Sequence, residues 1–211
     1  MDVAYVDFHA RKDRSTFIAA RFGPVLQGSV LDVGCDEAHL RDMIRATRYY
    51  GIDVSGKPDQ IVNLEEVGRL PFGDGEFDTI VCSDVLEHLD NLHYIFGELV
   101  RVARRYLVIS LPNNWVNARR PIERGHGSFA HYGLPPKRPQ DRHKWFFSLS
   151  EALDFFDAQQ TLHDIHLADK LATEKPRSAL ARAARRLRYP NQTHYLNRYA
   201  HTLWALFEKT S

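Results

Sequence analysis

Short apolar runs rich in valine and isoleucine alternate along this chain with longer segments whose apolar residues recur at helical spacing. That alternation is the mark of strands buried on both faces and joined by crossover helices. Five runs predict strands: Ser29 to Gly34, Tyr49 to Val54, Gln60 to Leu64, Asp78 to Cys82 and Tyr106 to Leu111. Between them, Ala38 to Thr47 and Leu86 to Arg104 predict helices. The second places Leu89, Leu92, Ile95, Phe96, Leu99 and Val102 on one broad face. A further helix is expected over Asp13 to Arg21, stopped by Gly23-Pro24.

After Pro112 the texture changes, because Asn113 to Trp145 is dense in Pro, Gly, His and Arg and follows neither period. Its aromatic residues argue for order, so a long loop region over 113–147, serving as a substrate lid, is expected. Ser148-Leu149-Ser150-Glu151 is a capping signal for a helix over Glu151 to Ala158. Strands are expected near Thr161 to Leu167 and over His201 to Glu208. The segment Ser178 to Arg188, within a basic insertion at 170–190, predicts a short helix. Its basic face is a solvated surface in the simplest reading, with a phosphate or membrane contact as the alternative. The whole is expected to be a single domain over 1–211: a helical cap at 1–28, a ligand-binding core at 29–112, the lid at 113–147 and a closing helix and strand pair at 148–211.

With 211 residues, 44% of them hydrophobic and 26% charged, the chain is long enough to bury a core without disulfide or metal staples. A net charge of +1 gives no global field toward nucleic acid or an anionic surface, so any basic site must be local. Cys35 and Cys82 each sit in an apolar run and are expected to be reduced and buried. The N-terminal residues lack a basic segment followed by an apolar one, and no stretch approaches a membrane span; a soluble cytoplasmic protein is expected. Eleven histidines is a high count that composition leaves unexplained.

Chemistry is concentrated where strands end. The first run closes on Gly34, and the second carries Asp53 about 20 residues after the first turn, where an acid can accept both hydroxyls of a ribose. Four motifs then follow in order. Val30-Leu31-Asp32-Val33-Gly34-Cys35, Gly51-Ile52-Asp53-Val54-Ser55, Leu70-Pro71-Phe72-Gly73-Asp74-Gly75-Glu76-Phe77-Asp78 and Val81-Cys82-Ser83-Asp84-Val85-Leu86-Glu87-His88-Leu89 together resemble class I S-adenosylmethionine-dependent methyltransferases of the broad small-molecule group. A run ending in Ser110-Leu111-Pro112-Asn113 extends the resemblance, which covers Val30 to Asn113 closely. It implies an α/β, Rossmann-like doubly wound fold: three α/β/α layers around a seven-stranded, mostly parallel sheet whose last strand is antiparallel. It implies S-adenosylmethionine as cofactor, with Asp32, Gly34 and Asp36 around its methionine part, Asp53 on the ribose, Val54, Asn63 and Leu64 at the adenine and Ser83 near the sulfonium end.

One departure matters. The family pattern Gly-x-Gly-x-Gly appears here as Gly34-Cys35-Asp36-Glu37-Ala38, so Asp36 either turns toward the cofactor's amino group or obstructs the pocket. Methyl transfer from a sulfonium is an in-line displacement that depends on positioning and needs a base only if the acceptor must lose a proton. His143 and His88 are the candidate bases, with Asn113, Trp115, Arg142 and Trp145 as candidate substrate contacts. Asp84, Glu87 and His88 have a spacing able to ligate a divalent ion, as similar segments do in some relatives, but a resident metal is not expected. The expected acceptor is an O or N atom of a small or lipid- or sugar-linked molecule. An RNA acceptor held by Arg182, Arg185, Arg186 and Arg188, and a non-catalytic binding protein, are the alternatives. Nucleic acid is the less favoured partner, given the charge balance, and the oligomeric state is not legible.

Overall fold

In the computed structural model, which describes residues 1–129, 131–137, 139 and 141–210, the apolar runs form one eight-stranded sheet. In chain order the strands are β1 (Asp2–Tyr5), β2 (Ser29–Val33), β3 (Arg48–Asp53), β4 (Gln60–Ile61), β5 (Phe77–Ser83), β6 (Ala103–Pro112), β7 (Ile165–Glu174) and β8 (Ala200–Lys209). Their spatial order is β1-β7-β8-β6-β5-β2-β3-β4. Every pairing is parallel except the two made by β8, which lies antiparallel between β6 and β7. The antiparallel last strand is as expected. The eighth strand is β1, in a segment read as purely helical, and four half-exposed residues are too short for a periodic signal.

Among the described residues six α-helices cover the sheet: α1 (Arg11–Phe22), α2 (Leu92–Val102), α3 (Asn114–Arg124), α4 (Leu149–Leu162), α5 (Ala179–Arg188) and α6 (Gln192–Tyr199). On one face, α2 and α4 bury Ile95, Phe96, Leu99 and Phe156 against Phe207 and the β5–β6 core. On the other, α1 buries Ile18 and Phe22 against Trp204 of β8. The capping signal before α4 is realised: Ser148 Oγ accepts from Glu151 N and Glu151 Oε2 accepts from Ser148 N at 2.8 Å. Among the described residues no helix is long and apolar enough to cross a membrane.

Three local expectations change. Ala38 to Thr47 holds only a 3-10 turn at His39–Asp42, because Asp36 and Ala38 both take positive φ (50° and 54°) and leave too few residues for an α-helix. Leu86–His88 is likewise a 3-10 turn, after which α2 starts at Leu92. The region read as loop contains α3, which carries Pro121 in its interior and ends on Gly125 at φ 70°. The polar helix α6 lacks an apolar period and was not expected.

Candidate active site

A cavity of about 900 Å³ opens beyond the carboxyl ends of β2, β3 and β5, within the range of about 300–1,000 Å³ usual for small-molecule pockets. All eight residues assigned to the cofactor line it: Asp32, Gly34, Asp36, Asp53, Val54, Asn63, Leu64 and Ser83. Two loops form its floor. Asp53 joins them, since Oδ2 accepts the Asp36 N–H at 2.8 Å while Oδ1 accepts from Val54 N at 2.6 Å and Ser55 N at 3.2 Å. The Lys57 N–H donates to Asp36 O at 2.7 Å, and a Cβ at Gly56 (φ 83°) would sit 2.3 Å from that same oxygen.

The glycine-poor first loop keeps a glycine-rich backbone. Gly34, Asp36 and Ala38 all have positive φ (76°, 50° and 54°), so the three positions of the Gly-x-Gly-x-Gly pattern retain the conformation that glycine favours. Aspartate tolerates that region better than most residues. A Cβ at Gly34 would lie 2.2 Å from Val85 Cγ2, so no side chain fits there. The Asp36 carboxylate pairs with Arg11 at 3.1 Å, at the rim. Deeper, Asp32 accepts the Tyr49 hydroxyl at 2.6 Å, and burial raises its carboxyl to about 6 despite that bond.

At the other end, side chains from two distant segments converge. Glu87 and His88 follow β5, and His131, Asp141 and His143 come from the region after α3. The three imidazoles pack together, His131 stacked on His143 with ring centroids 4.4 Å apart and His88 edge-on to His143 at 4.5 Å. Asp141 bridges His88 Nδ1 (2.9 Å) and His131 Nδ1 (3.3 Å). His143 Nδ1 lies 3.2 Å from both the Tyr132 hydroxyl and Asn114 Nδ2. Burial, reinforced by the neighbouring imidazoles, lowers the His143 pKa to about 3; burial also lowers His88. Both rings are therefore neutral near pH 7.

Glu87 is 1% exposed, its Oε2 has no hydrogen-bond partner, and burial pushes its carboxyl up to about 8. One donor atom each from Glu87, His88 and His143 lies within 4.8 Å of the others. Asp84, grouped with Glu87 and His88 by spacing, is not among them. At φ 52° its carboxylate turns to Ser110 Oγ (2.7 Å) and to Arg14 of α1, and Ser110 Oγ continues to Ser83 Oγ at 2.8 Å.

The four substrate candidates stand elsewhere. Asn113 is fully buried and its Nδ2 donates to the carbonyls of Leu196, Asn197 and Ala200, closing the end of α6. Trp145 Nε1 donates to Leu89 O at 2.7 Å and its ring meets His93 outside the cavity. Arg142 and Trp115 are exposed and do not line the cavity. In their place the walls carry Phe8, Arg11, Arg14 and Asn117, none of which belongs to a motif.

A family model described as a methyltransferase domain matches residues 9–160. Among curated proteins, none matches by sequence. Several solved structures share the fold at low identity. The small RNA methyltransferase HEN1 aligns over 100% of this chain at 17% identity and a TM-score of 0.62, and the aligned chain spans 26% of that protein. An S-adenosylmethionine-dependent methyltransferase from Mesorhizobium loti aligns over 95% of this chain and 99% of its own at 14% identity and a TM-score of 0.56. The magnesium protoporphyrin IX methyltransferase of Synechocystis PCC 6803, with S-adenosylhomocysteine bound, aligns over 92% and 81% at 17% identity and a TM-score of 0.51. With the family match spanning most of the chain and the cofactor motifs gathered on one cavity, the chain belongs to the class I S-adenosylmethionine-dependent methyltransferases.

Proposed function

We propose that the chain transfers the methyl group of S-adenosylmethionine to a hydroxyl oxygen of a small or lipid- or sugar-linked acceptor, with Glu87, His88 and His143 holding a divalent cation at the acceptor end of the cavity. The observation that carries this reading is the buried, partnerless Oε2 of Glu87 beside two neutral imidazoles. A mixed carboxylate and imidazole set suits a borderline or hard divalent ion. A cation there would act as a Lewis acid that lowers the pKa of the acceptor hydroxyl.

The chain's own residues do the rest. Asp141 accepts from His88 Nδ1 and so leaves Nε2 with its lone pair. Asn114 Nδ2 donates to His143 Nδ1, its amide oriented by the Phe147 N–H bond to Asn114 Oδ1, and the Tyr132 hydroxyl donates to the Trp145 carbonyl, so the imidazole is held in place from both sides. A group with a pKa of about 3 is a weak general base at neutral pH, so His143 fits a ligand role better than the base role its sequence suggests. Asp53 and the loop backbone fix the cofactor, and the in-line geometry follows from holding both reactants in one cavity.

Cobalt(II) titration monitored by visible absorption tests the reading. The wild type should give intense bands of a protein-bound ion, and the paired variant Glu87→Gln/His143→Gln should give only the weak spectrum of the aqueous ion. Identical spectra for the two proteins, or methyl transfer insensitive to chelator, would sink the cation while leaving the cofactor assignment intact.

A further inference from the structure

The helix α5 is built inside out. Leu180, Ala183, Ala184 and Leu187, spaced i, i+3, i+4 and i+7, form one face, and that face points to solvent, with Leu180 85% and Leu187 86% exposed. Three of its four arginines turn inward. Arg182 lies over Tyr5 at 4.3 Å, Arg186 over Tyr195 at 3.7 Å, and Arg185 pairs with Glu174 at 2.6 Å while lying over Tyr199. No residue of α5 is buried. The tyrosines thus hold the cationic side of the helix against the body and leave the apolar side facing out.

Charge identifies what such a face would meet. Residues 175–188 read Lys-Pro-Arg-Ser-Ala-Leu-Ala-Arg-Ala-Ala-Arg-Arg-Leu-Arg, six cations and no acid, in a chain whose total charge is only +1. Glu174 offsets Arg185 and Asp7 offsets Lys175, but stacking on tyrosine leaves the charges of Arg182 and Arg186 in place, so the helix presents leucines within roughly a Debye length, about 8–10 Å, of a positive field. An apolar stripe backed by cations is the pattern of a helix lying in the plane of an anionic bilayer surface. An RNA-binding helix would need the reverse, arginines outward and leucines inward. The position is also informative. Glu174 and Tyr5 are the last residues of β7 and β1, so α5 sits on the same carboxyl edge of the sheet as the cavity, and the chain leaving Tyr5 runs directly into cavity-lining Phe8, Arg11 and Arg14.

We infer that the outward face of α5 docks this methyltransferase on anionic phospholipid membrane, with Leu180 and Leu187 entering the headgroup boundary. The docking requires no membrane span and holds whether or not a cation occupies the Glu87 cluster. It would bring the cavity edge toward acceptors carried at the lipid surface.

Vesicle sedimentation with the full chain decides it. Wild type should sediment with vesicles of equal parts phosphatidylcholine and phosphatidylserine and not with phosphatidylcholine alone. Leu180→Ser/Leu187→Ser should lower the partition coefficient by at least about tenfold while leaving the thermal midpoint and S-adenosylhomocysteine binding unchanged. Arg177→Gln/Arg188→Gln should lower it less and weaken its salt dependence. Leu187→Trp should give a blue-shifted emission on the anionic vesicles only. Three results would overturn the inference: no sedimentation with anionic vesicles, equal sedimentation of the leucine variant, or an exposed face explained by a dimer that light scattering shows dissociating in that variant. Salt-sensitive binding to RNA without vesicle binding would transfer the helix to the other reading.

Discussion

The two ends of the cavity are built by different means. At the cofactor end the work is done by main chain: positive φ at positions 34, 36 and 38, loop amides converging on Asp53, and neighbouring parallel strands that bring these groups together. At the acceptor end it is done by side chains, Glu87, His88, His131, Asp141 and His143, drawn from segments more than 40 residues apart and linked mainly through one stacked and one edge-on imidazole contact and one bridging carboxylate. The first end is specified by local conformation and tolerates changes in side chain, as Asp36 and Ala38 show. The second has little regular backbone to fall back on, so each side chain matters individually.

That contrast is open to attack most directly by a pair of variants. Asp53→Ala should weaken S-adenosylhomocysteine binding by at least about 100-fold, because it removes charge-assisted bonds to two loops together with the ribose contact. His143→Gln should leave that affinity within about threefold and abolish detectable methyl transfer, since it touches only the acceptor end. Calorimetry and a turnover assay on both proteins check this, and parallel losses in the two variants would erase the distinction.

A smaller effect is expected from Asp32. Its carboxyl is raised from the ordinary carboxylate range to about 6 in the folded chain, so the fold binds this proton more tightly than the unfolded chain does. Asp32 should therefore contribute about 2–3 kcal/mol of stability to the ligand-free protein below about pH 4, lost as pH rises through about 6. Urea titrations across that window should show the slope, and Asp32→Asn should flatten it. A cationic amino group bound beside Asp32 favours the ionised form, so cofactor affinity should rise with pH over the same interval.

The mildest change sharpens the backbone half of the comparison. Ala38→Gly restores glycine at φ 54° and should stabilise the chain by about 1 kcal/mol. A lower thermal midpoint would instead mean that the buried Ala38 methyl outweighs the strain it imposes.

The same contrast explains what could be read from the sequence. Strands β2, β3, β5 and β6 were legible because each is a continuous apolar run, and the cofactor residues were legible because they sit at fixed offsets from those runs. Leu40, Met43 and Ile44 mimic a helical period, but the backbone needed by residues 36 and 38 does not show in hydrophobicity. The region after Pro112 hid α3 behind Pro121 and a dense set of polar residues. The histidine excess had its partial explanation in the lid, yet no spacing rule joins His88 to His131 and His143, nor Arg14 to Asp84. Asn113 shows the converse difficulty: its place beside a motif suggested substrate, while its three bonds to carbonyls around the end of α6 serve the fold.

The placement of β8 has a consequence for how the molecule comes into being. Strands β1 and β7 reach the rest of the sheet only through β8, and Trp204 of that strand receives the rings of Phe8, Phe17 and Phe22. A nascent chain emerging from the ribosome can pair β2 through β6 and form the cofactor loops well before residues 200–209 appear. The wall bearing Phe8, Arg11 and Arg14 can settle only after they do. Completion of the pocket thus waits for the synthesis of β8, which keeps a half-made chain from offering a finished site.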